Sequence, residues 1–414
     1  MASLDRRNAV AAMLGLPALA ASLEVPSLPD AKLVKTDPEK YWKRIRDEQF
    51  LLPDWRVFLN NGSLGIAPKP VVRAMVDYQE KASALQMDGY PRWGYETLDE
   101  EREKLAAQFG CKKDELALMH NATEAISTVA AGLDLAAGDE VIMTDQEHPS
   151  GKGGWMVREA RHGVLLKTVA LPLRAKSPAQ LADLMISAIG PRTKVLSFSG
   201  IISGSGLIMP VKEICAAARA KSVITFVDGA HMHGQIPVNM TDLGCDFMAG
   251  SPHKWLFAPA GCGLLYMREE MQDRLWPAIT TDGWKNKSLK AARFMMMGTN
   301  NRAIFQGMMA GLAFANAIGA ERIYQRIHEL SRISYARASK LPYVKMVTPD
   351  DDRMFGSLVS FQLNPEHGTR FAEACAKKRI WITGAERQRI AAHIHTRPAD
   401  IDTYFEILEQ TSKA

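Results

Sequence analysis

Short apolar runs alternate with longer amphipathic segments along most of this chain. Seven runs have the length and composition of β-strands, and most are followed by a segment with helical periodicity. The predicted strands are Glu115–Met119, Glu140–Met143, Val164–Val169, Lys194–Phe198, Ile224–Val227, Phe247–Met248 and Gly263–Met267. Such alternation is typical of a parallel sheet whose crossover helices cover both faces. The sequence therefore predicts an α/β fold with a mostly parallel, seven-stranded sheet.

The segment that follows this alternation predicts a second, smaller unit. Helical patterns over Arg302–Ala317 and Ala320–Ala338 contain few helix breakers. They precede a predicted strand at Gly356–Leu363 and a closing helix at Pro398–Ser412. A run of helices around one strand, without further alternation, predicts a small α+β domain at the C-terminus.

The chain of 414 residues has room for two to three domains, at the usual size of about 100–200 residues each. After a polar connector, Tyr41–Leu51 has helical character and Val57–Leu59 reads as a short strand. We therefore predict an N-terminal arm at 22–60 that contributes to the small domain. A large cofactor-binding domain at 61–310 and a small domain at 311–414 follow.

Charge and cysteine content exclude several classes of protein. The chain has 51 Lys and Arg against 46 Asp and Glu, a net charge of +5, and no basic block. We therefore expect neither a nucleic-acid partner nor a membrane partner. The five cysteines include no CxxC pair, so neither a disulfide framework nor a zinc ribbon is indicated. We expect most of these cysteines to be small buried side chains.

Residues 1–21 have the layout of an export signal. The adjacent pair Arg6 and Arg7 precedes an apolar run over Ala9–Ala21, and Ala18–Ala20 has the small residues of a cleavage site. This arrangement resembles a twin-arginine signal and predicts a periplasmic or secreted protein. The alternative is an ordinary amphipathic first helix, which would leave the protein in the cytoplasm.

Polar side chains that follow the predicted strands are the candidates for chemistry, because ligands collect at the carboxyl ends of parallel strands. Asp228 and His231 follow one strand, and Lys254, between His253 and Trp255, follows the next. An Asp in this position is commonly a helix cap, and a lone Lys commonly extends its amine to solvent. Partial burial among these neighbours would instead lower the pKa of Lys254, as a Schiff-base lysine requires.

Two further motifs make the functional interpretation stronger. Asn121–Ala125 follows a strand and opens a helix, so its backbone N–H groups and the Thr123 hydroxyl suit an anion. Glu147 and His148 follow another strand and supply an aromatic face. With Asp228 and Lys254, these groups provide a phosphate cradle, a ring to stack, a carboxylate and an amine. Pyridoxal 5'-phosphate (PLP) requires all four.

The same motifs resemble those of class V, fold-type I PLP enzymes, in the chain order of that family. They are Asn121–Ala125, Glu147–His148, Val227–His231, Ser251–Trp255 and Gly298–Thr299. The resemblance runs from about Phe58 to the C-terminus, and Phe58–Gly65 is most similar to the start of isopenicillin N epimerases. The family also contains cysteine desulfurases and aminotransferases. The resemblance implies a homodimer with active sites at the interface.

The resemblance also implies a role for individual residues. Lys254 would bind the cofactor aldehyde and move the α-proton, Asp228 would pair with the pyridine nitrogen, and His148 would stack on the ring. Further implied cofactor contacts are Ala122, Thr123, Ser203, His231, Ser251, His253 and, toward the partner subunit's phosphate, Thr299. Arg389 matches the arginine that clamps the α-carboxylate of an amino-acid substrate, and Asn61 is a second expected substrate contact.

Several alternatives remain open on the sequence. Desulfuration is disfavoured because Cys375 lies in Phe371–Lys378, which reads as a helix rather than a mobile loop. We expect an epimerase-like enzyme acting at the α-carbon, with an aminotransferase or a carbon–sulfur lyase as the alternative. A non-catalytic binding scaffold is disfavoured by the intact Lys254 and Asp228.

Two histidine pairs and an aromatic cluster have separate interpretations. His231 with His233, and His393 with His395, would each place two imidazoles on one side of a strand. Because neither pair has a convincing third ligand, we expect no metal site. The aromatic cluster Tyr90–Tyr95 is interpreted as a loop at the pocket mouth, or as packing.

Overall fold

A computed structural model of the protein describes residues 27–85 and 96–412. The predicted export signal and the Tyr90–Tyr95 cluster lie outside these residues and stay predictions. The strands are β1 (Leu116–Met119), β2 (Glu140–Thr144), β3 (Leu165–Val169), β4 (Thr193–Ser199), β5 (Ile224–Asp228), β6 (Phe247–Gly250), β7 (Gly263–Met267), β8 (Lys345–Met346), β9 (Leu358–Gln362) and β10 (Arg387–Ala391).

The α-helices of the described residues cover both the large sheet and the C-terminal region. They are α1 (Leu33–Thr36), α2 (Pro38–Gln49), α3 (Lys69–Leu85), α4 (Asp99–Phe109), α5 (Ala122–Gly132), α6 (Pro149–His162), α7 (Pro178–Ser187), α8 (Val211–Ala220), α9 (Met240–Leu243), α10 (Pro252–Trp255), α11 (Ala303–Ile318), α12 (Ala320–Ala338), α13 (Pro365–Lys377) and α14 (Pro398–Ser412). Short 3₁₀ helices are Lys113–Glu115, Glu269–Arg274, Asp282–Lys285, Lys287–Met295 and Asp352–Met354.

The large sheet confirms the predicted α/β fold. Its seven strands run in the order β1-β7-β6-β5-β4-β2-β3. Every neighbouring pair is parallel except those that β7 makes with β1 and β6. The central strand β5 is buried from Ile224 to Val227, whereas the edge strand β3 is mostly exposed. All seven predicted strands are present, with ends that differ by two residues at most.

The helices begin where local sequence favours a helix start. Asn121, Ser177 and Asn364 each accept a backbone N–H from the first turn of α5, α7 and α13. Proline occupies the first helical position of α6 and α10, where its missing N–H has no cost. The ends of α12 and α14 match the predicted ones, and α11 is displaced by one residue. These helix N-termini fix the positions of the polar residues that follow the strands.

Two large buried clusters hold most of the apolar side chains of the described residues, and a third, small one joins Tyr78, Ala82 and Ala303. The larger one surrounds the seven-stranded sheet and includes Tyr41 and Ile45 from α2 as well as Ile327 from α12. The smaller one joins Leu59 to the antiparallel sheet β10-β9-β8 and its helices α13 and α14. Helix α12 contributes to both, since Leu330 belongs to the smaller cluster. The residue limits of the two domains stay a prediction.

Three local predictions are wrong. Val57–Leu59 is extended but forms no strand: only Asn60 bridges Ala391, because the chain turns immediately afterwards. The pairs His231/His233 and His393/His395 lie in turns rather than on strands. The polar connector before α2 contains a short helix, α1, that the sequence analysis missed.

Within 27–85 and 96–412, no single helix has the length and hydropathy needed to cross a membrane. Only α11 and α12 taken together reach those limits, and they are bent by 83° at the break between them.

Candidate active site

The carboxyl ends of β4, β5 and β6 lie side by side at one edge of the sheet. Asp228 ends β5, where it pairs in register with Ser199 of β4 and with Ala249 of β6. Strand β6 ends at Gly250, and Ser251 leads directly into α10, which carries Lys254. The parallel register therefore brings the predicted carboxylate and the predicted amine to the same edge.

Lys254 is held so that its amine loses its proton easily. Burial lowers the pKa of Lys254 to about 8; the charge of Arg389 lowers it as well, while Asp228 opposes the shift. Among the described residues, no carboxylate forms an ion pair with its Nζ, and the nearest polar partner is His231 Nε2 at 3.2 Å. A sizeable fraction of Lys254 is therefore neutral near pH 8, as expected from the sequence.

His231 is fixed in one neutral form beside this amine. The ring is buried, and the Trp255 indole N–H donates to its Nδ1 at 3.2 Å. Because Nδ1 accepts, the proton of the neutral ring lies on Nε2, the atom that faces Lys254 Nζ. Burial, aided by the charge of Lys254, lowers the pKa of His231 well below its ordinary value. Neutral His231 therefore donates toward Lys254, which matches an unprotonated amine as acceptor.

Asp228 keeps most of its hydrogen-bonding capacity. Its Oδ1 accepts the Ala230 N–H at 3.0 Å. No side-chain cation forms an ion pair with it among the described residues. The first turn of α6 passes close by, since a Cβ placed on Gly151 would lie 3.4 Å from Asp228 Oδ2. The glycine leaves space beside the carboxylate, which remains free to accept a hydrogen bond from a cationic ring nitrogen.

A second carboxyl group, Glu147, is buried near Asp228. It accepts hydrogen bonds from the hydroxyls of Thr144, at 2.6 Å, and of Ser199. Burial raises the pKa of Glu147 to about 6, and the negative charge of Asp228 contributes. The sequence analysis identified Glu147 only as the neighbour of His148. Its hydroxyl partners come from two strands, β2 and β4, so only the folded chain shows them together.

His148 lies exposed at the start of α6, next to this carboxyl pair. Its Nδ1 accepts the Ser150 N–H at 3.2 Å, which leaves the ring face available. Desolvation lowers the pKa of His148, and the positive charges of Lys254 and Arg389 lower it further. The structure thus brings His148 into the same electrostatic environment as Lys254 and Asp228.

The predicted phosphate end is formed where α5 meets α10. The Ala122 N–H donates to Ser251 Oγ at 3.3 Å, which joins the two helix starts. Gly263 permits this close approach, since a Cβ there would lie 2.5 Å from Asn121 N. His253 Nδ1 donates to the Cys262 carbonyl at 2.8 Å, so its Nε2 stays free. Ala122, Ser251 and His253 are therefore grouped as predicted.

Thr123 and Thr299 differ in their positions relative to this group. Thr123 is exposed on α5 and lines a groove of about 390 Å³ with Ser150 from α6. Thr299 is exposed in the loop before α11, with no recorded contact to the other site residues described. Its contact with the partner subunit's phosphate, and the homodimer itself, stay predictions.

Arg389 on β10 forms the opposite end of the site. Its Nη1 donates to the carbonyl and hydroxyl of Ser203, at 3.2 and 2.9 Å. Its Nη2 donates to Asn60 Oδ1 at 3.0 Å and to Ser63 Oγ at 2.8 Å. All four acceptors are neutral. Among the residues that the structure describes, the buried Nε has no partner and no carboxylate forms an ion pair with this guanidinium. Burial lowers the pKa of Arg389 to about 10, so the guanidinium remains charged at neutral pH without a counter-ion.

The neighbours of Arg389 were only partly predicted. Asn60 and Ser63 contact it, whereas Asn61 is buried and donates through Nδ2 to the Lys254 carbonyl at 2.7 Å. The role of Asn61 in substrate binding stays a prediction. Ser203, an expected cofactor contact, accepts hydrogen bonds from Arg389, and its contact with the cofactor stays a prediction. The Asn60–Ser63 turn was visible in the sequence, but which of its side chains faces Arg389 was not.

The histidine pairs have structural partners instead of a metal arrangement. His393 Nε2 donates to the Trp255 carbonyl at 3.1 Å, and the two rings stack. His233 Nδ1 donates to the Gly229 carbonyl at 3.1 Å. No group of three His, Cys, Asp or Glu side chains within the described ranges is arranged to hold a metal ion.

None of the five cysteines has the properties of a nucleophile. Cys375 is fully buried inside α13, and Cys215, Cys245 and Cys262 are buried as well. Burial raises the pKa of Cys111, Cys215 and Cys375 to about 12, and that of the other two also rises. The thiols therefore stay protonated, which agrees with the expectation that they are buried side chains.

These groups fit PLP on observations made within the protein. Asp228 has free acceptor capacity, no carboxylate of the described residues forms an ion pair with the Lys254 amine, and the α5 start is joined to Ser251 by the Ala122 N–H. Lys254 would hold the aldehyde carbon, Asp228 the ring nitrogen, and the α5 start the phosphate. His148 has an exposed ring at the same edge.

Comparison with known proteins agrees with this arrangement. The aminotransferase class-V family matches residues 57–395. The isopenicillin N epimerase of Streptomyces clavuligerus is 31% identical over 373 residues, which cover 86% of this chain and 91% of that protein. A probable cysteine desulfurase of Methanothermobacter thermautotrophicus is 29% identical over 333 residues, covering 77% of this chain and 81% of that protein.

A solved structure has the same fold. It is a lysine-to-alanine variant of C-DES with glycine covalently linked to the PLP cofactor. The two superpose with a TM-score of 0.76 at 24% sequence identity, covering 86% of this chain and 96% of that one. The family match spans both ends of the site, from residue 57, before Asn60, to residue 395, after β10. The family match and the shared fold together show that the chain is a PLP-dependent enzyme and belongs to the class V aminotransferase family.

Proposed function

We propose that the protein inverts the α-carbon of an amino acid or an amino-acid-derived substrate, as an isopenicillin N epimerase-like enzyme. The observation that carries this proposal is the pair of cations that converge on one site. Lys254 is close to losing its proton, while Arg389 stays charged and has no anionic partner among the described residues. The α-carboxylate of an amino acid would pair with Arg389, and the neutral amine of Lys254 would remove its α-proton.

Each residue has a defined part in this reaction. PLP, when bound, withdraws electrons from the α-carbon and so makes its proton acidic. Lys254 Nζ takes up that proton from one face of the α-carbon, and His231 Nε2–H orients the amine in its neutral form. Inversion then requires a second donor that delivers a proton to the opposite face. Arg389 holds the carboxylate, so the α-carbon is fixed relative to Lys254. Asp228 accepts a hydrogen bond from the ring nitrogen and keeps that nitrogen protonated.

The epimerase assignment is favoured over desulfuration by the cysteines. Attack on a substrate sulfur requires a thiolate at the site, whereas four of the five thiols are buried and all five have a raised pKa. The similarity to the Streptomyces clavuligerus epimerase supports the same choice. An aminotransferase or a carbon–sulfur lyase would use the same Lys254 and Asp228 and differ in products.

One series of measurements tests the bound cofactor, the role of Lys254 and the identity of the product. We expect the purified protein to show a visible absorption band that borohydride bleaches, and to exchange the α-proton of its substrate in D₂O with a change of chirality. Lys254→Ala should lose the band and the exchange. Lys194→Ala, an exposed lysine at the amino end of β4, is the matched control. Accumulation of a keto acid, or release of sulfide or pyruvate, would replace the epimerase assignment with one of its alternatives.

We further propose that the protein is exported through the twin-arginine route, which carries folded cargo and so allows cofactor loading beforehand. The support is the Arg6–Arg7 pair before the apolar run. Immunoblots of cell fractions should find a processed chain outside the cytoplasm, and replacing both arginines with lysine should retain it inside. An unprocessed cytoplasmic chain in both cases contradicts export.

A further inference from the structure

A second arginine, Arg387, faces the same cavity as Arg389. Residues two apart on a strand project from the same face, and the residues next to Arg389, Gln388 and Ile390, are buried on the other. Both arginines line a cavity of about 370 Å³ together with Ser203, Gly204 and the 383–386 loop. The exposed side chain of Arg387 therefore lies at the mouth of the substrate pocket.

Arg387 has no partner within the described part of the chain. Many exposed arginines of this protein form ion pairs, such as Arg174 with Asp350 and Arg353 with Asp351. Glu386 precedes Arg387 and lines the same cavity, yet the two side chains form no ion pair. The guanidinium at the pocket mouth therefore keeps all its donors available for a ligand.

Gly204 lies close to the side chain of Arg387. A Cβ on Gly204 would lie 3.5 Å from Arg387 Nη1. Gly204 directly follows Ser203, whose oxygens hydrogen-bond Arg389 Nη1. The two guanidinium groups are therefore placed along one short turn, with Arg389 on the inner side and Arg387 on the outer side.

We propose that Arg387 binds a second carboxylate, so that the substrate is an amino acid whose side chain ends in a carboxylate. The inference rests on the proposed function in assigning the α-carboxylate to Arg389. Alternate residues of a strand are about 6.8 Å apart, which suits the two carboxylates of glutamate or of a longer homologue. A guanidinium binds a carboxylate through paired, charge-assisted hydrogen bonds that an amide cannot replace.

Binding of substrate-like acids tests Arg387 without requiring any reaction. Isothermal titration of the holoenzyme would compare glutarate with its monoamide, which has the same length and one charge fewer. We expect glutarate to bind about tenfold more tightly, since one charge-assisted contact is at stake. Arg387→Gln should reduce this preference to less than about twofold. Arg192→Gln, an exposed and unpaired arginine at the amino end of β4, should retain it.

The outcomes separate the two proposals. Equal binding of the two acids by the wild-type protein, no binding of either, or a preference that survives in Arg387→Gln overturns the role of Arg387. A preference that Arg387→Gln abolishes supports that role, even if no α-proton exchange is found and the proposed epimerase function fails. Unchanged thermal midpoints would show that Arg387→Gln and Arg192→Gln fold alike.

Discussion

At the Lys254 end of the site, burial lowers the pKa of the amine far enough that it becomes partly neutral near pH 8. At the Arg389 end, burial lowers the pKa of the guanidinium by a similar amount, but the group stays charged. Burial lowers the pKa of Lys254 to about 8 and that of Arg389 to about 10. Because the arginine begins higher, the same desolvation yields a partly neutral amine at one end and a full cation at the other. One fold thus provides a base and an anion clamp from two cationic residues.

The hydrogen-bond networks around Lys254 and around Arg389 also differ. Trp255, His231 and Lys254 form a chain in which each donor meets an acceptor, so the proton positions are fixed. Around Arg389 the acceptors are neutral and one donor has no partner. A satisfied network suits proton transfer, and an unsatisfied cation suits ligand binding.

The largest effect should come from removing the cation that lacks a counter-ion. Arg389→Met should raise the KM for α-proton exchange about 100-fold, because a bidentate carboxylate contact is lost. Its thermal midpoint should fall less than that of the control, because its four hydrogen bonds go to neutral acceptors and no ion pair among the described residues is broken. The control is Arg46→Met: Arg46 is buried and lies 3.7 Å from Asp400, so its loss should destabilise the protein by about 3 kcal/mol or more. Equal destabilisation of both variants would contradict the comparison.

The pH dependence of cofactor loading tests the other end. The neutral amine of Lys254 is the reactive form, so the rate at which cofactor-free protein binds PLP should rise about tenfold per pH unit and level off near pH 8. Stopped-flow absorbance measures this rate, with Lys254→Ala as the blank. A rate that climbs to pH 10 would indicate an ordinary, solvated lysine.

Trp255→Phe should shift this profile by a smaller amount. Without the indole donor, His231 can carry its proton on Nδ1 and accept from Lys254 with Nε2, which stabilises the ammonium form. The plateau of the loading rate should therefore move upward, by about half a pH unit to one unit. Trp276→Phe, which removes a surface indole bonded to Asp134, is the control and should leave the profile unchanged.

The smallest effect concerns the stability contributed by Glu147. Its pKa is raised from 4.5 to about 6, so the folded protein holds this proton more tightly than the unfolded chain. Stability is therefore lost as the pH rises from 4.5 through 6, by about 2 kcal/mol. Glu147→Gln should be about 2 kcal/mol more stable than wild type at pH 8 and equal to it near pH 4.5.

Urea unfolding at both pH values measures this difference. Glu103→Gln, at an exposed position on α4, is the control and should match wild type at both. A variant that is less stable at pH 8 would show that the hydroxyl partners of Glu147 outweigh its desolvation.

The alternation of apolar runs and amphipathic segments made the large sheet predictable. The wrong local predictions have a common cause. The seven strands of the large sheet follow from apolar runs, which are buried along most of their length in every strand except the edge strand β3. Val57–Leu59 has the composition of a strand but pairs only at Asn60, because pairing depends on where the chain turns. His231 and His233 have the spacing of a strand yet lie in a turn, where each finds its own hydrogen-bond partner.

The sequence by itself determined the order of strands and helices, the presence of Lys254 and Asp228 after adjacent strands, and the likeness to PLP enzymes. These are local patterns, which can be recognised in the sequence without knowing the fold. Only the tertiary structure decided that Asn60 and Ser203 meet Arg389, that Glu147 lies near Asp228, and that Arg387 faces the same cavity as Arg389. The first two relations join residues far apart in the chain, the third depends on which face of β10 lines the cavity, and the energies of all three depend on burial that folding alone creates.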